Sequence, residues 1–444
     1  MDRRAHDLYV ERATSNIGRG GLWWWLVALA LAACVGFGVY SYAYQVRVGH
    51  SATGTNHTIF WGLYIANFVF FIGISYGGAI ISAILRLMGA KWRAPITRIA
   101  EGTAVVTLAV GAISVIVDVA RPDRLLNLVI YAQPGSPITW DWIAINTYLV
   151  GTLIFFYLPL IPDLGKYRET LPAGSLRAKI YGAISLRWQG TPPQERWLLR
   201  ATLMMAVLII PLAVSVHSVL AWLFAMTVRE GWHSTIFGPL FVIAAMLSGT
   251  AMVIVAVAAL RKLHGLEQFI TVKHFRYLSY LLIVLAAAYL YFMVAEYLTE
   301  GYTQQGDSGA ILQALFVGAF APMFWAIVLG GLVLPIALVL FSGRFFIARA
   351  SLASLLVIGA MWLKRYLIVL IPGMTTTVSP FALYKPTWVE LGITLGSVAA
   401  IPLGLMVLFR IFPVMSVHEM EEVEGAPEPA PLRGAIPAYG DGDD

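Results

Sequence analysis

The sequence predicts an all-α integral membrane protein that crosses the bilayer about ten times. The chain is 59% hydrophobic and only 12% charged, and its mean hydropathy is +0.77. Its apolar residues are also gathered in long, continuous runs. Soluble domains carry about 25% charged residues. These observations exclude an ordinary soluble globular protein and predict a polytopic membrane protein.

Ten apolar runs are long enough to span a membrane. A helix rises 1.5 Å per residue and the hydrocarbon core is about 30 Å thick, so a span needs roughly 20 apolar residues. The ten runs cover residues 22–44, 59–88, 96–120, 140–162, 198–227, 235–260, 275–298, 310–341, 350–371 and 388–412. The first run follows a polar segment, 1–21, and lacks a small-residue cleavage site. We therefore interpret it as a retained helix and not as a signal peptide.

Lysine and arginine are distributed unevenly between the two sides of this topology. Of the 30 basic residues, 23 lie in the N-terminal segment, in or beside the loops after even-numbered spans, or in the C-terminal tail, and five lie on the other side. The positive-inside rule then predicts that both termini are cytoplasmic. We expect a location in the inner membrane of a bacterium or archaeon. The asymmetry also accounts for the net charge of +6, so nucleic-acid binding need not be invoked.

The tail and the cofactor-binding potential can also be predicted. Residues 413–444 carry acidic residues and several prolines, which predicts a disordered cytoplasmic tail.

Cys34 is the single cysteine, and only His217 of the eight histidines lies well inside a span. Iron–sulfur clusters and zinc sites need several such ligands, and membrane haems need paired histidines. We therefore expect no haem, iron–sulfur cluster or metal site in this chain.

Ionisable residues inside the spans are few and lie mostly toward the outer side. Burying one at the bilayer centre costs on the order of 3 kcal/mol unless it is paired or hydrated, so such residues suggest function. Those in the outer half are Asp118, Asp141, His217, Glu296, Lys364, Arg365 and Glu390. Glu101, at the start of the third span, is the exception on the cytoplasmic side.

Structural explanations remain open for each of these residues. Lys364 can extend its ammonium group to the lipid headgroups, and Glu390 can be a solvated loop charge. Asp141 can be an anion favoured by the dipole of a helix N-terminus. Arg365 can form a structural ion pair with a buried carboxylate.

Asp141 and His217 are the strongest candidates for chemistry. Asp141 opens the fourth span between Trp140 and Trp142, at the interface where aromatic residues are enriched. His217 follows Pro211, which is expected to kink the fifth span. A hydroquinone that loses two electrons also loses two protons, and an imidazole with a nearby carboxylate provides two acceptors. A hydrogen-bonded structural histidine is the alternative for His217.

Several stretches then resemble a known family. The stretch "VSVHSVLAWLFAMTVREGWHSTIFGPLFVIAAMLSGTAMV" (214–253) is similar to the corresponding part of the NrfD/polysulfide-reductase membrane subunits, in the ten-helix branch that includes alternative complex III. Four other stretches agree in order, at 62–85, 92–105, 140–169 and 361–370.

The resemblance implies an architecture and a role. It implies two four-helix bundles, about 59–227 and 235–371, flanked by the helices at 22–44 and 388–412. It also implies a quinone, menaquinone or ubiquinone, bound near the outer face of the first bundle, with no redox centre in the chain. Electrons would pass between the quinone and an extracytoplasmic iron–sulfur subunit, beyond which lies a molybdopterin-type or multihaem cytochrome subunit. Surrounding membrane lipid is the other expected partner.

The resemblance also assigns individual residues. Asp141, with Trp140 beside it, matches the aspartate that the family places at the quinone. Arg365 and Glu101 match a buried polar network, part of which is proposed to conduct protons. Glu296 is grouped with them from its position in the outer half of a span, and the three are expected to form a proton path or a buried ion pair.

Two positions depart from the alternative complex III pattern. Asp118, in "DVARPDR", stands where those subunits usually have histidine, and Tyr76, in "ISYGG", also stands where histidine is common in that branch. Quinone ligation is therefore expected to use Asp118, Asp141, Tyr76 and His217 in some combination.

The sequence thus favours a quinol oxidoreductase component that needs partner subunits for turnover. Proton movement coupled to this reaction is an added possibility. Two other classes stay open: a transporter or proton channel that uses the same buried charges, and a passive membrane anchor.

Overall fold

A computed structural model of the chain describes residues 3–425 except positions 15–16, 19, 58, 120, 173, 228, 230, 233, 305, 307 and 375–383. The described residues form helices joined by turns and loops, without strands. In chain order the α-helices are α1 (Arg3–Thr14), α2 (Leu22–Val48), α3 (Leu63–Leu87), α4 (Ala94–Asp118), α5 (Asn127–Ile130), α6 (Pro137–Tyr157), α7 (Leu160–Glu169), α8 (Leu176–Ile184), α9 (Pro192–Ala225), α10 (Phe237–Leu263), α11 (Val272–Thr303), α12 (Ser308–Phe316), α13 (Ala321–Trp325), α14 (Leu334–Leu340), α15 (Phe346–Met374), α16 (Trp388–Ile411) and α17 (Val417–Gly425).

Ten helical spans in the described residues are long and apolar enough to cross a membrane. They are α2, α3, α4, α6, α9, α10, α11, the continuous stretch from α13 through α14, α15 and α16. The prediction of an all-α polytopic membrane protein is confirmed. Because the number of spans is even, α1 and α17 lie on one side of the membrane. We call this side the basic face and the other side, where α4 ends and α6 begins, the opposite face.

Some predicted boundaries are wrong, and prolines mark two of the differences. The fourth run does not continue to residue 162, because α6 ends at Tyr157 and Pro159 directly precedes the separate helix α7. The eighth run is not one helix from residue 310. It breaks after α12, and a new helix starts at Ala321 with Pro322 in its first turn, where a missing amide costs no helical hydrogen bond.

The fifth span is longer than predicted. It begins at Pro192, where Thr191 and Gln194 form a capping box that satisfies the first free amides. The helix then continues as one element through Pro211 to Ala225.

The spans form two groups of four with α3 and α10 at their junction. In the first bundle, α3 contacts α4 and α9, and α6 contacts α4 and α9. In the second bundle, α10 contacts α11 and α15, and α14 contacts the same two helices. Gly77 of α3 lies directly against Gly249 of α10, so a methyl group on either residue would overlap the backbone of the other. Small residues permit this close approach of two membrane helices.

The remaining two spans flank the bundles as a pair. Helices α2 and α16 pack against each other, and α16 also contacts α3 and α4. Most side chains of α2 are exposed on its other sides, as expected for a helix whose outer surface faces lipid.

The tail is not disordered over its whole length. Residues 417–425 form α17, which packs against α1, α4 and α7 on the basic face. The hydroxyl of Tyr9 donates to the carbonyl of Ser416 at 3.0 Å, and the amide of Val414 donates to Ala13 at 3.2 Å. Composition alone missed this helix because its partners come from the other end of the chain. The rest of the predicted tail, from residue 426, lies outside the described residues.

Candidate functional site

The inner side of α6 carries a line of buried polar residues. Asp141, Tyr148 and Thr152 are separated by seven and four residues, a spacing that places them on one side of a helix. Asp141 is 8% exposed, and its Oδ1 is buried without a hydrogen bond in the described part of the chain. Trp140 is half-buried, and its indole N–H donates to the carbonyl of Pro134 at 2.5 Å. Trp140 therefore ties the preceding loop to α6, and Asp141 is the group left with an unused acceptor.

His217 occupies the buried side of α9 and has one unused ring nitrogen. Its Nδ1 lies 3.3 Å from the carbonyl of Ala213, an oxygen that can only accept, so the contact requires Nδ1–H. Nε2 of the neutral ring is then an acceptor. This atom is buried and makes no hydrogen bond among the described residues.

Helix α3 contributes the side chains that connect these two helices. The ring of Tyr76 meets the imidazole of His217 with centroids 4.5 Å apart. The neighbouring Ser75 lies 3.3 Å, hydroxyl to hydroxyl, from Tyr148 of α6. Ser75 and Tyr148 were missed from the sequence, although the position of Tyr148 two helical turns after Asp141 was a usable signal.

Asp118 belongs to different surroundings. It ends α4, where its backbone carbonyl lies 3.0 Å from Nε2 of His50. The preceding carbonyl, of Val117, accepts from Gln45 at 3.1 Å, and Gln45 in turn accepts from the hydroxyl of Tyr64 at 2.6 Å. The backbone contacts at this end of α4 therefore run to α2 and the segment after it, whereas Tyr76 and His217 touch each other in the first bundle. Oδ1 of the Asp118 side chain is buried and makes no hydrogen bond within the described residues.

Glu390 is not the solvated loop charge that the sequence suggested. It is fully buried at the start of α16 and accepts hydrogen bonds from the amide of Gly54 at 2.8 Å and the amide of Thr387 at 3.0 Å. The hydroxyl of Tyr384 also donates to it. Glu390 joins two distant loops on the opposite face.

Lys364 likewise does not extend to the headgroups. It is 3% exposed, donates to the hydroxyl of Tyr297, and lies with its Nζ 4.8 Å from the centre of that ring. Glu296, next to Tyr297, has a buried Oε2 without a hydrogen bond in the described residues. Glu296 and Lys364 both line a cavity of about 30 Å³, which is enough for one or two water molecules.

Arg365 lies at the junction of the bundles. Its Nη1 donates to the carbonyl of Met361 at 3.3 Å, and its Nη2 lies where a methyl group on Gly73 of α3, about one turn before Tyr76, would contact it. No carboxylate of the described residues lies within ion-pair distance of it. The expected structural ion pair is therefore absent from this part of the chain.

Glu101 is part of a buried network on the basic face. Its Oε1 accepts from Ser82 at 2.6 Å and lies 3.7 Å from Nη2 of Arg86. Arg86 also contacts Glu419 of α17, which accepts from Thr97 at 3.0 Å. Burial opposes ionisation of Glu419, but the neighbouring guanidinium groups prevail and lower its pKa to about 2. Glu419 could not be identified from the sequence because its partners are distant in the chain.

A second ion pair attaches the same segment. Nη2 of Arg98 lies 2.8 Å from Oδ2 of Asp163, and both side chains are fully buried. Asp163 also accepts from the hydroxyl of Ser416 at 3.0 Å and from the amide of His418 at 2.8 Å. Two buried charged residues thus hold this segment: Asp163 binds Ser416 and His418, and Arg86 binds Glu419.

The fold and the site together define a polytopic helical membrane protein with unpaired polar groups buried in its first bundle. The described residues contain no group of three or more His, Cys, Asp or Glu side chains that could hold a metal ion. The chain belongs to the NrfD family, described as polysulphide reductase, NrfD, whose family model matches residues 51–378.

Three relatives are similar over almost the whole chain. The chain is 29% identical to a putative dimethyl sulfoxide reductase membrane subunit of Halobacterium salinarum, over 90% of this chain and 92% of the relative. It is 22% identical to a selenate reductase subunit of Mesobacillus selenatarsenatis, over 88% and 95%. It is 23% identical to the Hdr-like menaquinol oxidoreductase integral membrane subunit of Archaeoglobus fulgidus, over 89% and 95%.

Proposed function

We propose that this chain is the quinone-reactive membrane subunit of an oxidoreductase complex. The observation that carries the proposal is the pair of unused acceptors, Oδ1 of Asp141 and Nε2 of His217, buried on two contacting helices of one bundle. Buried polar atoms without partners are rare and call for an explanation such as a ligand. A quinol offers two hydroxyl groups, which suit two acceptors. The relative named as a menaquinol oxidoreductase subunit supports a quinone as the substrate.

The residues would act as proton acceptors while the electrons leave to a partner. A quinol that becomes a quinone releases two electrons and two protons. Asp141 takes one proton from one hydroxyl and Nε2 of His217 takes the other, and each residue returns its proton when the reaction runs toward quinone reduction. Tyr76 holds the imidazole ring through their edge contact. Menaquinone is the quinone we propose, because one relative is named as a menaquinol oxidoreductase subunit.

The electron partner is an extracytoplasmic iron–sulfur subunit docked on the opposite face. Asp141 is only four residues from the start of α6, so the quinone would lie close to that face. Two relatives are named as subunits of reductases, which supports a complex with further subunits of the molybdopterin or multihaem cytochrome type. The basic face is then cytoplasmic, in the inner membrane of a bacterium or archaeon.

Proton movement through the chain would use the other buried charges. Glu101 lies toward the basic face, Glu296 lies beside a water-sized cavity in the second bundle, and Arg365 lies between the bundles. A proton channel or transporter would use this same route without quinone chemistry. A passive anchor would need neither the route nor the unused acceptors.

Quinol-dependent electron transfer in the purified complex tests the proposal. Asp141→Asn removes the proton acceptor and keeps the size of the side chain, so turnover is expected to fall about 100-fold or more. Asp123→Asn is the matched control, since Asp123 is an exposed carboxylate between α4 and α6 that pairs with the exposed Arg121. Co-purification of the partner proteins verifies assembly. Unchanged turnover in an assembled Asp141→Asn complex would refute the assignment.

A further inference from the structure

A cavity of about 590 Å³ opens on the basic face, and none of the candidate quinone-site residues lines it. It lies between α2, the end of α10 and the end of α16. Its rim carries Arg12, His264 and Arg410, and its floor is apolar, with Val27, Leu260 and Met406 among the lining residues. The cavity therefore has a cationic mouth above an apolar base.

The guanidinium group of Arg410 is held in a fixed position at this mouth. It lies 4.1 Å from the ring centre of Trp24 and 4.8 Å from that of Trp25. On its other side it lies so close to Gly20 that a methyl group there would collide with it. Stacking on two indole rings leaves the N–H groups free to donate.

One donor of this guanidinium group lacks a hydrogen-bond partner among the described residues. Nη1 of Arg410 is buried and makes no hydrogen bond in the described part of the chain. A buried charged donor that stays unpaired is costly, and an anionic oxygen would satisfy it. The nearest loop contains one carboxylate, Glu267, which is exposed and lies beside Gly265 and Arg12. Among the described residues Glu267 forms no ion pair with Arg410, so a ligand in the cavity can use the guanidinium group of Arg410.

The cavity is also in contact with the lipid phase. Trp23, on its lining, is 79% exposed, and Trp25 is 56% exposed. Both residues start a span whose other surfaces are largely exposed and apolar. Exposed tryptophans at the end of a span mark the level of the headgroups. A ligand in this cavity can therefore place an anionic group at the mouth and hydrocarbon on the floor.

We propose that this cavity binds the headgroup and upper acyl chains of an anionic phospholipid, with the phosphate accepting from Arg410. Basic pockets between membrane helices suit such lipids because attraction at the mouth adds to burial of the chains. The site is independent of quinone chemistry, and it can be tested by binding alone.

The test is a lipid titration of the purified, delipidated full-length chain, followed by native mass spectrometry. The probes are phosphatidylglycerol, phosphatidylcholine with the same acyl chains, and inorganic phosphate. Phosphatidylglycerol is expected to bind at least about fivefold more tightly than phosphatidylcholine. Arg410→Gln should remove that preference, and Met406→Trp, which fills the floor and keeps the cation, should weaken binding of both lipids.

The matched control is Arg344→Gln. Arg344 is also a basic-face arginine stacked on an aromatic ring, with its guanidinium 4.8 Å from the centre of Phe345, and it does not line this cavity. Its replacement should leave lipid binding unchanged.

Equal affinity for the two lipids, or equal losses in Arg344→Gln and Arg410→Gln, would overturn the proposal. Displacement of phosphatidylglycerol by millimolar inorganic phosphate would identify a free-phosphate site instead. If Arg410→Gln fails to fold, undiminished binding of both lipids to Met406→Trp would still overturn the lipid-binding proposal.

Discussion

The phenol ring of Tyr76 and the imidazole ring of His217 lie 4.5 Å apart between centroids, inclined at 64°. This edge contact joins α3 to α9 in the first bundle. It restricts rotation of the imidazole, which keeps Nδ1 on the carbonyl of Ala213 and leaves Nε2 available. The ring of Tyr76 therefore positions the proposed proton acceptor.

Replacement of Tyr76 should separate the role of the ring from that of the hydroxyl. Tyr76→Phe keeps the packing against His217, and we expect quinol-dependent turnover within about threefold of wild type. Tyr76→Ala removes the packing, and turnover should fall at least about tenfold because the imidazole is no longer oriented. Steady-state kinetics on the purified complex measure both. Equal losses in the two variants would show that the hydroxyl itself takes part.

Proton movement should depend on Glu296 if the second bundle conducts protons. In Glu296→Gln we expect electron transfer to continue while proton translocation in proteoliposomes is lost, because an amide cannot carry a proton along the route. The ratio of protons moved to electrons transferred is the measurement. Glu195→Gln, at an exposed position near the start of α9, is the control. An unchanged ratio in Glu296→Gln would restrict Glu296 to a structural role.

Loss of Glu419 should destabilise the protein. Glu419→Gln leaves the cluster of buried arginines beside it without this countercharge, which costs about 3–5 kcal/mol. Glu421→Gln is the matched control on the same helix, since its ion pair with Lys166 is more than one-third exposed and is worth about 0–1 kcal/mol. Thermal unfolding of both variants in detergent measures the difference. Similar melting temperatures for the two would contradict a stabilising role for Glu419.

The contribution of Glu419 should also depend on pH. Folding lowers the pKa of this carboxyl from 4.5 to about 2. A lowered pKa in the folded state means that the stabilisation is complete above pH 4.5 and is lost as the pH falls toward 2. The difference in melting temperature between wild type and Glu419→Gln should therefore shrink over that interval. A difference that grows with acidity would refute the assignment.

The junction of the bundles should not accept a larger side chain. Gly77→Ala places a methyl group against Gly249, so we expect a loss of about 1–3 kcal/mol from forced separation of α3 and α10. Gly359→Ala in α15 is the control, because its added methyl group would meet open space. Thermal unfolding again provides the comparison. Equal stability of the two variants would mean that the helices can separate without cost.

The number of spans and the unusual residues within them could be predicted because both depend on local properties. A run of roughly 20 apolar residues must cross the bilayer as a helix, since hydrocarbon offers no partners for free backbone groups. Asp141 and His217 were noticed for the same reason, as polar groups in apolar runs. That they form a quinone site remains a proposal.

Contacts between distant segments could not be predicted in this way. Lys364 and Glu390 were expected in water or among headgroups, but Tyr297 encloses the first, and Tyr384 and Gly54 enclose the second. The tail was expected to be disordered, but Arg86 holds Glu419 across 333 positions of sequence. Likewise, only the fold shows that the ring of Tyr76 meets that of His217 and that the carbonyl of Asp118 lies against His50.

The membrane class, the ten spans and the candidate polar residues thus follow from the amino-acid sequence alone. Hydropathy, helix length and charge asymmetry act within each segment and need no knowledge of its neighbours. Which of those residues meet is a property of the folded chain, because burial and pairing of a charge depend on groups that packing brings from other helices. The sequence grouped Tyr76 and His217 with Asp118 and Asp141 as candidates, and only the fold shows that the rings of Tyr76 and His217 touch.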